Sequence, residues 1–328
     1  MRVAGVDAAE IAAILKHRFA VADAEITERR RLQIRCACVV NTSDSIPSPN
    51  PPPRLGLIAG QGRLPILIAR GMKAAGARVS CVGLAGQYDP ELPEVCDDFR
   101  SAGWVRLGQW MRLLRRWGIT RAVMVGGVKK ERMHDPLRLF RQIPDLRAAV
   151  VWYRHLRHDR RNAAVLRAVA EELARGGITL MDSTTYIPDH LATPGVMTRR
   201  QPTAAQQRDI AFGWPLLRQV VELDIGQSIA VRDRDVIAVE AIEGTDRLIE
   251  RAGELCRAKG WTLLKTASTR HDMRADVPTI GVQTIEAVAR GGGGCIAVGA
   301  GRVILVEKPA VLAAAEERGI ALVGVEGV

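Results

Sequence analysis

Two stretches carry residue types suited to chemistry on phosphate. The first is Glu243-Gly244-Thr245-Asp246, which opens a run of apolar residues at helical spacing: Leu248, Ile249, Ala252, Leu255 and Cys256. Thr245 is expected to cap that helix, its hydroxyl accepting a hydrogen bond from an amide two or three residues on. The apolar positions should bury one face. A helix N-terminus offers unpaired amides and the positive end of a dipole, which fits a phosphate. The second stretch sets Asp272, Arg274 and Asp276 at alternate positions. On an extended segment all three would face one way. Two carboxylates and a guanidinium on one face suit a metal ion and a phosphate. They also suit a solvated polar edge closed by Pro278-Thr279.

These residues need a framework, and the composition supplies one. The 328 residues, 47% of them hydrophobic, are enough for two domains with real cores. The net charge of +11 admits nucleic acid, anionic lipid headgroups or acidic substrates as partners. Six cysteines form no CxxC pair and no zinc spacing, so the thiols are expected reduced and the compartment cytoplasmic. No stretch of about twenty apolar residues is present to span a bilayer. No signal-peptide pattern is read in the first residues.

Residues 1–53 read as a disordered tail and linker, ending in a Pro/Ser/Asn-rich stretch and Pro51-Pro52-Pro53. The folded part opens with the apolar run Leu55–Ala59, then Gly60-Gln61-Gly62, then a helix marked by Leu64, Leu67, Ile68 and Met72, with Pro65 in its first turn. Such a strand–glycine–helix unit brings backbone close to a ligand. It lacks the third glycine of a dinucleotide fingerprint and is no Walker loop. Strands at Val79–Leu84 and Ala122–Val125 follow, and the second runs into Gly126-Gly127-Val128-Lys129. Trp110, Leu113, Leu114 and Trp117 mark a core-facing helix between them. In an open α/β sheet, ligands sit outside the carboxyl ends of the strands, so the two glycine-rich ends are expected to form one pocket. Residues 152–161 are dense in positive charge. Nucleic-acid binding, lipid-headgroup contact and a solvated rim are all open there, and the rim is favoured because no nucleic-acid motif accompanies it. Asp189–Thr203 reads as a linker into a second α/β domain. There a helix through Trp214, Leu217 and Val221 leads to Asp224-Ile225-Gly226-Gln227 and a hairpin turning at Arg232–Asp235. A second hairpin is expected from Cys295–Val298 and Val303–Val306.

The fold class is therefore α/β, with a Rossmann-like parallel sheet at 54–190 and a second α/β domain with hairpins at 191–328. Leu55–Pro65, Gly127-Val128-Lys129, Leu223–Gln227, Glu240–Asp246 and Arg274–Gly281 occur in that order. Together they resemble the LpxI family, the UDP-2,3-diacylglucosamine pyrophosphatases of lipid A biosynthesis, over about residues 54–326.

The resemblance implies a substrate held between the two domains. It implies water attack on the uridine-side phosphorus of UDP-2,3-diacylglucosamine, aided by Mg²⁺ or another divalent cation, giving UMP and 2,3-diacylglucosamine 1-phosphate. Asp276 takes the place of the family's essential aspartate, and Glu243, Gly244, Thr245 and Asp246 match its Glu-Gly-Thr-Asp motif. Asp276 with Asp272 would hold the metal. Asp276, Arg274, Asp246 and Glu243 form the catalytic set. Gly60, Gln61, Gly62, Leu64, Gly127, Val128, Lys129, Gln227, Gly244, Thr245 and Lys265 would contact substrate. The run Ser268-Thr269-Arg270-His271-Asp272 departs from the family's Lys-Pro-x-Gln-(Asp/Glu), and His271 is either a new acid/base group or a substituted hydrogen-bond donor. A lipid substrate implies work at the cytoplasmic surface of the inner membrane, as a peripheral protein without nucleic acid; a homodimer is one assembly open to it. Two rivals stand beside this reading. A nicotinamide-dependent dehydrogenase would need an acidic ribose ligand after the second strand, and Val79–Ala85 offers none. A nucleic-acid-binding protein would work through residues 152–161.

Overall fold

The apolar run Arg54–Ala59 (β1) is the central strand of a five-stranded sheet. The computed structural model describes residues 52–127, 145–156, 162–268, 273–274 and 277–326. The expected tail and linker, apart from Pro52 and Pro53, lie outside them. With β2 (Arg78–Leu84), β3 (Asp98–Ala102), β4 (Arg121–Val125) and β5 (Thr179–Leu180), the order is β3-β2-β1-β4-β5, every pair parallel. Alternating side chains supply the two faces. Leu55, Leu57, Val79, Cys81 and Val123 pack against α1 (Leu64–Ala74), with the short helix α2 (Leu92–Val95) beside it. Ile58, Val82 and Ala122 pack on the other side against α3 (Leu107–Arg116) and α5 (Asn162–Arg175), with α4 (Leu146–Val151) between them in sequence. The tryptophan-bearing helix is core, as its spacing indicates: Trp110, Met111 and Leu114 are buried.

The C-terminal lobe begins with α6 (Ala204–Glu222), started by a reciprocal capping box between Thr203 and Gln206. Its strands are β6 (Gly195–Val196), β7 (Ser228–Arg232), β8 (Asp235–Val239), β9 (Trp261–Lys265), β10 (Thr279–Ile280), β11 (Gly293–Gly299), β12 (Ile304–Leu305) and β13 (Ala321–Val325). Six form a mixed sheet in the order β6-β13-β11-β9-β7-β8. The helices α7 (Thr245–Leu255), α8 (Val282–Arg290) and α9 (Lys308–Glu317) complete the lobe. The first expected hairpin forms, from β7 and β8. Its two turn residues, Asp233 and Arg234, both take positive φ, 50° and 61°, as the turn's twist demands. Buried Asp209 holds this strained turn by accepting the Arg234 amide at 2.8 Å.

Three expectations change. Residues 295–306 are no hairpin: β11 lies between β9 and β13, while β12 pairs in parallel with β10. The tight Gly299-Ala300-Gly301 turn suggested a hairpin, but the chain after it leaves the sheet. Asp189–Thr203 is more than a linker, since Gly195–Val196 adds an antiparallel edge strand to β13. On α7, Leu248, Ile249 and Ala252 are buried, but Leu255 is 63% exposed because the helix end overruns the sheet it packs on.

The β10–β12 ladder is where the lobes meet. Val277 and Ile304 belong to the same buried cluster as Leu55, Leu57 and Ile66 of the N-terminal lobe. The Lys308 amide donates to His190 Nδ1 at 3.3 Å. Among the described residues no helix is long and apolar enough to cross a membrane.

Candidate active site

The chain reverses direction about β1, with β2 on one side and β4 on the other, so the crevice outside β1 and β4 is a topological switch point. Gly60-Gln61-Gly62 and Gly126-Gly127 meet there. The Gln61 amide donates to the Gly127 carbonyl at 2.8 Å and the Gly127 amide returns a bond to Gln61 at 3.3 Å. A Cβ at Gly60 would lie 2.5 Å from the Gly127 carbonyl oxygen, so this approach requires glycine. The outcome is an open cleft of about 350 Å³ lined by Gln61, Gly62, Tyr88, Asp89 and Gly127. Leu64 turns away from it and packs with the lobe's core. Val128 and Lys129 lie outside the described residues.

Arg63, next to the cleft, is engaged by carboxylates: Glu91 at 2.5 Å, Glu307 at 3.3 Å and Asp89 at 3.9 Å. The hydrogen bond that Arg63 donates to Glu91, with Glu307 adding to it, raises the guanidinium's pKa above its ordinary value. Glu307 belongs to the C-terminal lobe and caps α9 in a left-handed conformation, so one ion-pair cluster joins the lobes beside the glycine turn.

The second group of side chains sits at one end of the C-terminal sheet. Lys265 ends β9, Ser228 begins β7 opposite it, and Glu240 follows β8. Lys265, 6% exposed, donates from Nζ to Thr245 Oγ1 at 2.6 Å. Thr245 donates its own proton to Glu240 Oε1 at 3.0 Å. Glu240 is 8% exposed. Its Oε2 and the Ser228 hydroxyl are buried with no hydrogen-bond partner among the described residues. A Cβ at Gly226 would run into the Glu240 carbonyl, so the Asp224–Gln227 turn packs directly on the Glu240 backbone. The Gln227 carbonyl accepts the Thr266 amide at 3.0 Å. Thr245 is thus not the helix cap. Gly244, at φ 84°, holds that position, and the threonine hydroxyl serves the lysine and the glutamate instead.

Glu243 and Asp246 stand differently. Glu243 lies 3.1 Å from the Arg251 guanidinium in an ion pair without hydrogen-bond alignment, which also leaves its Oε1 counted as unbonded. Asp246 is exposed in the first turn of α7, where its charge complements the helix dipole. Asp272 and Asp276 lie outside the described residues. Met273-Arg274 is a turn with Arg274 exposed, so the expected extended strand is interrupted there. The Met273 carbonyl accepts both the amide and hydroxyl of Ser183, at 3.1 and 3.0 Å. Ser183 follows β5, so Met273 lies at the carboxyl end of the N-terminal sheet, and Met273 and Val277 both pack with that lobe's core. Among the described residues no three His, Cys, Asp or Glu side chains converge to hold a metal ion. Burial raises the Cys295 pKa to about 12 and pushes Cys81 well up, while the hydrogen bond with Cys81 lowers that of Cys96.

Sequence reasoning missed Glu240, Ser183, Tyr88 and Asp89. Glu240 had a signal, a carboxylate ending the apolar strand Val236–Val239. Ser183 had none, because its partner lies 90 residues away.

A Rossmann-like sheet with a glycine-built cleft at its switch point, joined to a lobe where buried Lys265 and Glu240 share a half-buried Thr245 at a strand end, defines a two-lobed α/β protein built to handle an anionic, nucleotide-like ligand. Family models describe the halves: the LpxI N-terminal domain matches residues 54–190 and the LpxI C-terminal domain residues 193–323. A protein of Caulobacter vibrioides named UDP-2,3-diacylglucosamine pyrophosphatase LpxI is 30% identical over 282 residues, 83% of this chain and 98% of that one. The chain belongs to the LpxI family. A solved biotin carboxylase subunit of pyruvate carboxylase aligns over 62% of the chain and 41% of its own at 11% identity, but its TM-score of 0.22 relates no fold.

Proposed function

We propose that the protein hydrolyses the pyrophosphate of UDP-2,3-diacylglucosamine to UMP and 2,3-diacylglucosamine 1-phosphate. The observation that carries this reading is the match to a relative of that name along 98% of the relative's length. The lobe geometry agrees with it: one cleft for a nucleotide at the N-terminal sheet, and one corner in the C-terminal lobe where buried Lys265 and Glu240 share Thr245.

In this reading Asp276 positions a water in line with the uridine-side phosphorus. The water gives a proton to the Asp276 carboxylate as its oxygen bonds to that phosphorus, the bridging P–O bond breaks, and its electron pair leaves with the sugar 1-phosphate. Lys265 and Arg274 pair with phosphate oxygens. Thr245 and Glu240 hold the Lys265 ammonium in place. A divalent cation, Mg²⁺ first, would be carried by Asp276 and Asp272, which are oxygen donors of the type it takes, and would neutralise phosphate charge. The described residues do not build a metal site by themselves, so that set depends on these two aspartates. Leu223, Ile225 and Ile242, exposed by 69%, 47% and 97%, flank the Glu240–Thr245 corner and suit the acyl chains. Peripheral binding at an anionic bilayer surface would use the surplus positive charge, at about 1 kcal/mol per basic side chain near the surface.

The test is incubation of the purified full chain with UDP-2,3-diacylglucosamine and Mg²⁺ in ¹⁸O-labelled water. Mass spectrometry should find one label in UMP and none in the sugar phosphate. Absence of both products would overturn the reading, and label in the sugar phosphate would overturn the site of attack.

A further inference from the structure

The cleft at the switch point has a wall outside the glycine-rich turns. β2 ends at Leu84, and the loop after it brings Tyr88 and Asp89 into the cleft beside Gln61, Gly62 and Gly127. Tyr88 is fixed from behind by an edge-on ring contact with Phe99, centroids 5.0 Å apart. Asp89 Oδ1 accepts the Glu91 amide at 3.0 Å, which sets the carboxylate's direction. Its Oδ2 is 3.9 Å from the Arg63 guanidinium, too far for a hydrogen bond. Arg63 is already matched by Glu91 at 2.5 Å and Glu307 at 3.3 Å. Three carboxylates against Arg63, with Arg70 bonded to Glu91 at 2.5 Å, leave this wall without surplus positive charge. Such a wall repels phosphate and offers acceptors to hydroxyl groups. In parallel nucleotide-binding sheets, the acidic side chain that takes the ribose hydroxyls follows the second strand. Here it comes later in sequence, because a loop intervenes.

We propose that Asp89 accepts a hydrogen bond from the ribose 2′-hydroxyl of the uridine half of the substrate, with the Tyr88 ring forming the wall for the base. This rests on the function proposed above and assigns the nucleoside end to the β2 side. The phosphates then lie toward the glycine turns and the Lys265 corner.

The test is calorimetric binding of UMP and 2′-deoxyUMP to the full chain, beside the hydrolysis assay. Removing a hydroxyl that bonds a carboxylate should weaken binding about tenfold. Asp89→Asn and Asp89→Ala should lower UMP affinity to the deoxyUMP level and leave deoxyUMP affinity unchanged. Tyr88→Leu should weaken both nucleotides alike. Equal binding of UMP and deoxyUMP by the unaltered chain, or a ratio untouched in both Asp89 variants, overturns the assignment while hydrolysis stands. No UMP binding and no hydrolysis overturn this assignment together with the function on which it rests.

Discussion

At the carboxyl end of β1 the surface offered to a ligand is largely backbone. Glycines 60, 62, 126 and 127 bring two strand ends into contact, and the side chains that matter stand at the rim. At the carboxyl end of β9 the surface is side chain: a buried lysine, a threonine shared between two partners, and a buried glutamate. Backbone amides and glycine give shape and close approach at little cost in specificity of charge. Buried ionic groups are costly unless tightly partnered, and that cost is tolerated where charge must be held still. The contrast suggests a division of work, with binding at the first site and charge control at the second.

The largest test concerns Asp276, to which the proposed function gives the attacking water. Asp276→Ala should reduce turnover by at least on the order of 10³-fold, the scale of losing one group that acts in the transition state. UMP affinity and melting temperature should stay the same. Near-normal turnover in that variant would remove chemistry from this segment.

Next comes Lys265→Met, which keeps the length of the side chain and removes its charge. We expect kcat to fall roughly 10²-fold, comparable to loss of one charge-stabilising donor. UMP binding, measured separately, should not move if the nucleotide sits on the other lobe, as proposed. Equal losses in both quantities would erase the contrast between the two regions.

The complementary variant is Gly60→Ala. Its new methyl would press on the Gly127 carbonyl from 2.5 Å, with backbone on both sides and no flexible side chain to yield. Overpacking of this kind costs roughly 1–3 kcal/mol. Thermal unfolding should show a melting temperature several degrees lower, and UMP affinity should fall with it. A variant as stable as its parent would mean that the two strand ends are not in firm contact.

The same two regions differ in how much of them the sequence discloses. The glycine turn is local: strand, Gly60–Gly62, Pro65 and helix are contiguous, and each has a propensity that names its role. So is the β7–β8 hairpin, whose turn lies within four residues. The corner is not local. Thr245 is placed at a helix start, where capping is its commonest use, and only the approach of Lys265 from 20 residues on diverts its hydroxyl. The pairing of β10 with β12 is equally hidden, since two-residue strands have no periodicity to read. Asp89 escapes because a loop moves the acidic residue beyond the spacing of the dinucleotide fold. Asp276 is singled out only by the resemblance to a family, since no residue pattern fixes its role, and it lies outside the described residues.

The smallest effect should come from Glu240, and it is the most exacting test of the corner. A carboxylate only accepts hydrogen bonds, so Thr245 must give its single proton to Glu240 and keep its lone pairs for Lys265. That order fixes the threonine rotamer and, through it, the ammonium. Glu240→Gln nearly preserves volume but adds an amide donor that can face Thr245 and compete with Lys265 for its oxygen. Since the amide oxygen can still accept, the expected loss is about tenfold in kcat, within the range for one hydrogen bond to a charged group. KM and UMP affinity should change little. Thr245→Val should show the same kcat loss or more, and Thr245→Ser should recover it, because serine keeps the hydroxyl and loses only the methyl. If valine and serine behave alike, the hydroxyl does not hold the lysine, and Lys265 reaches its phosphate without help from Glu240.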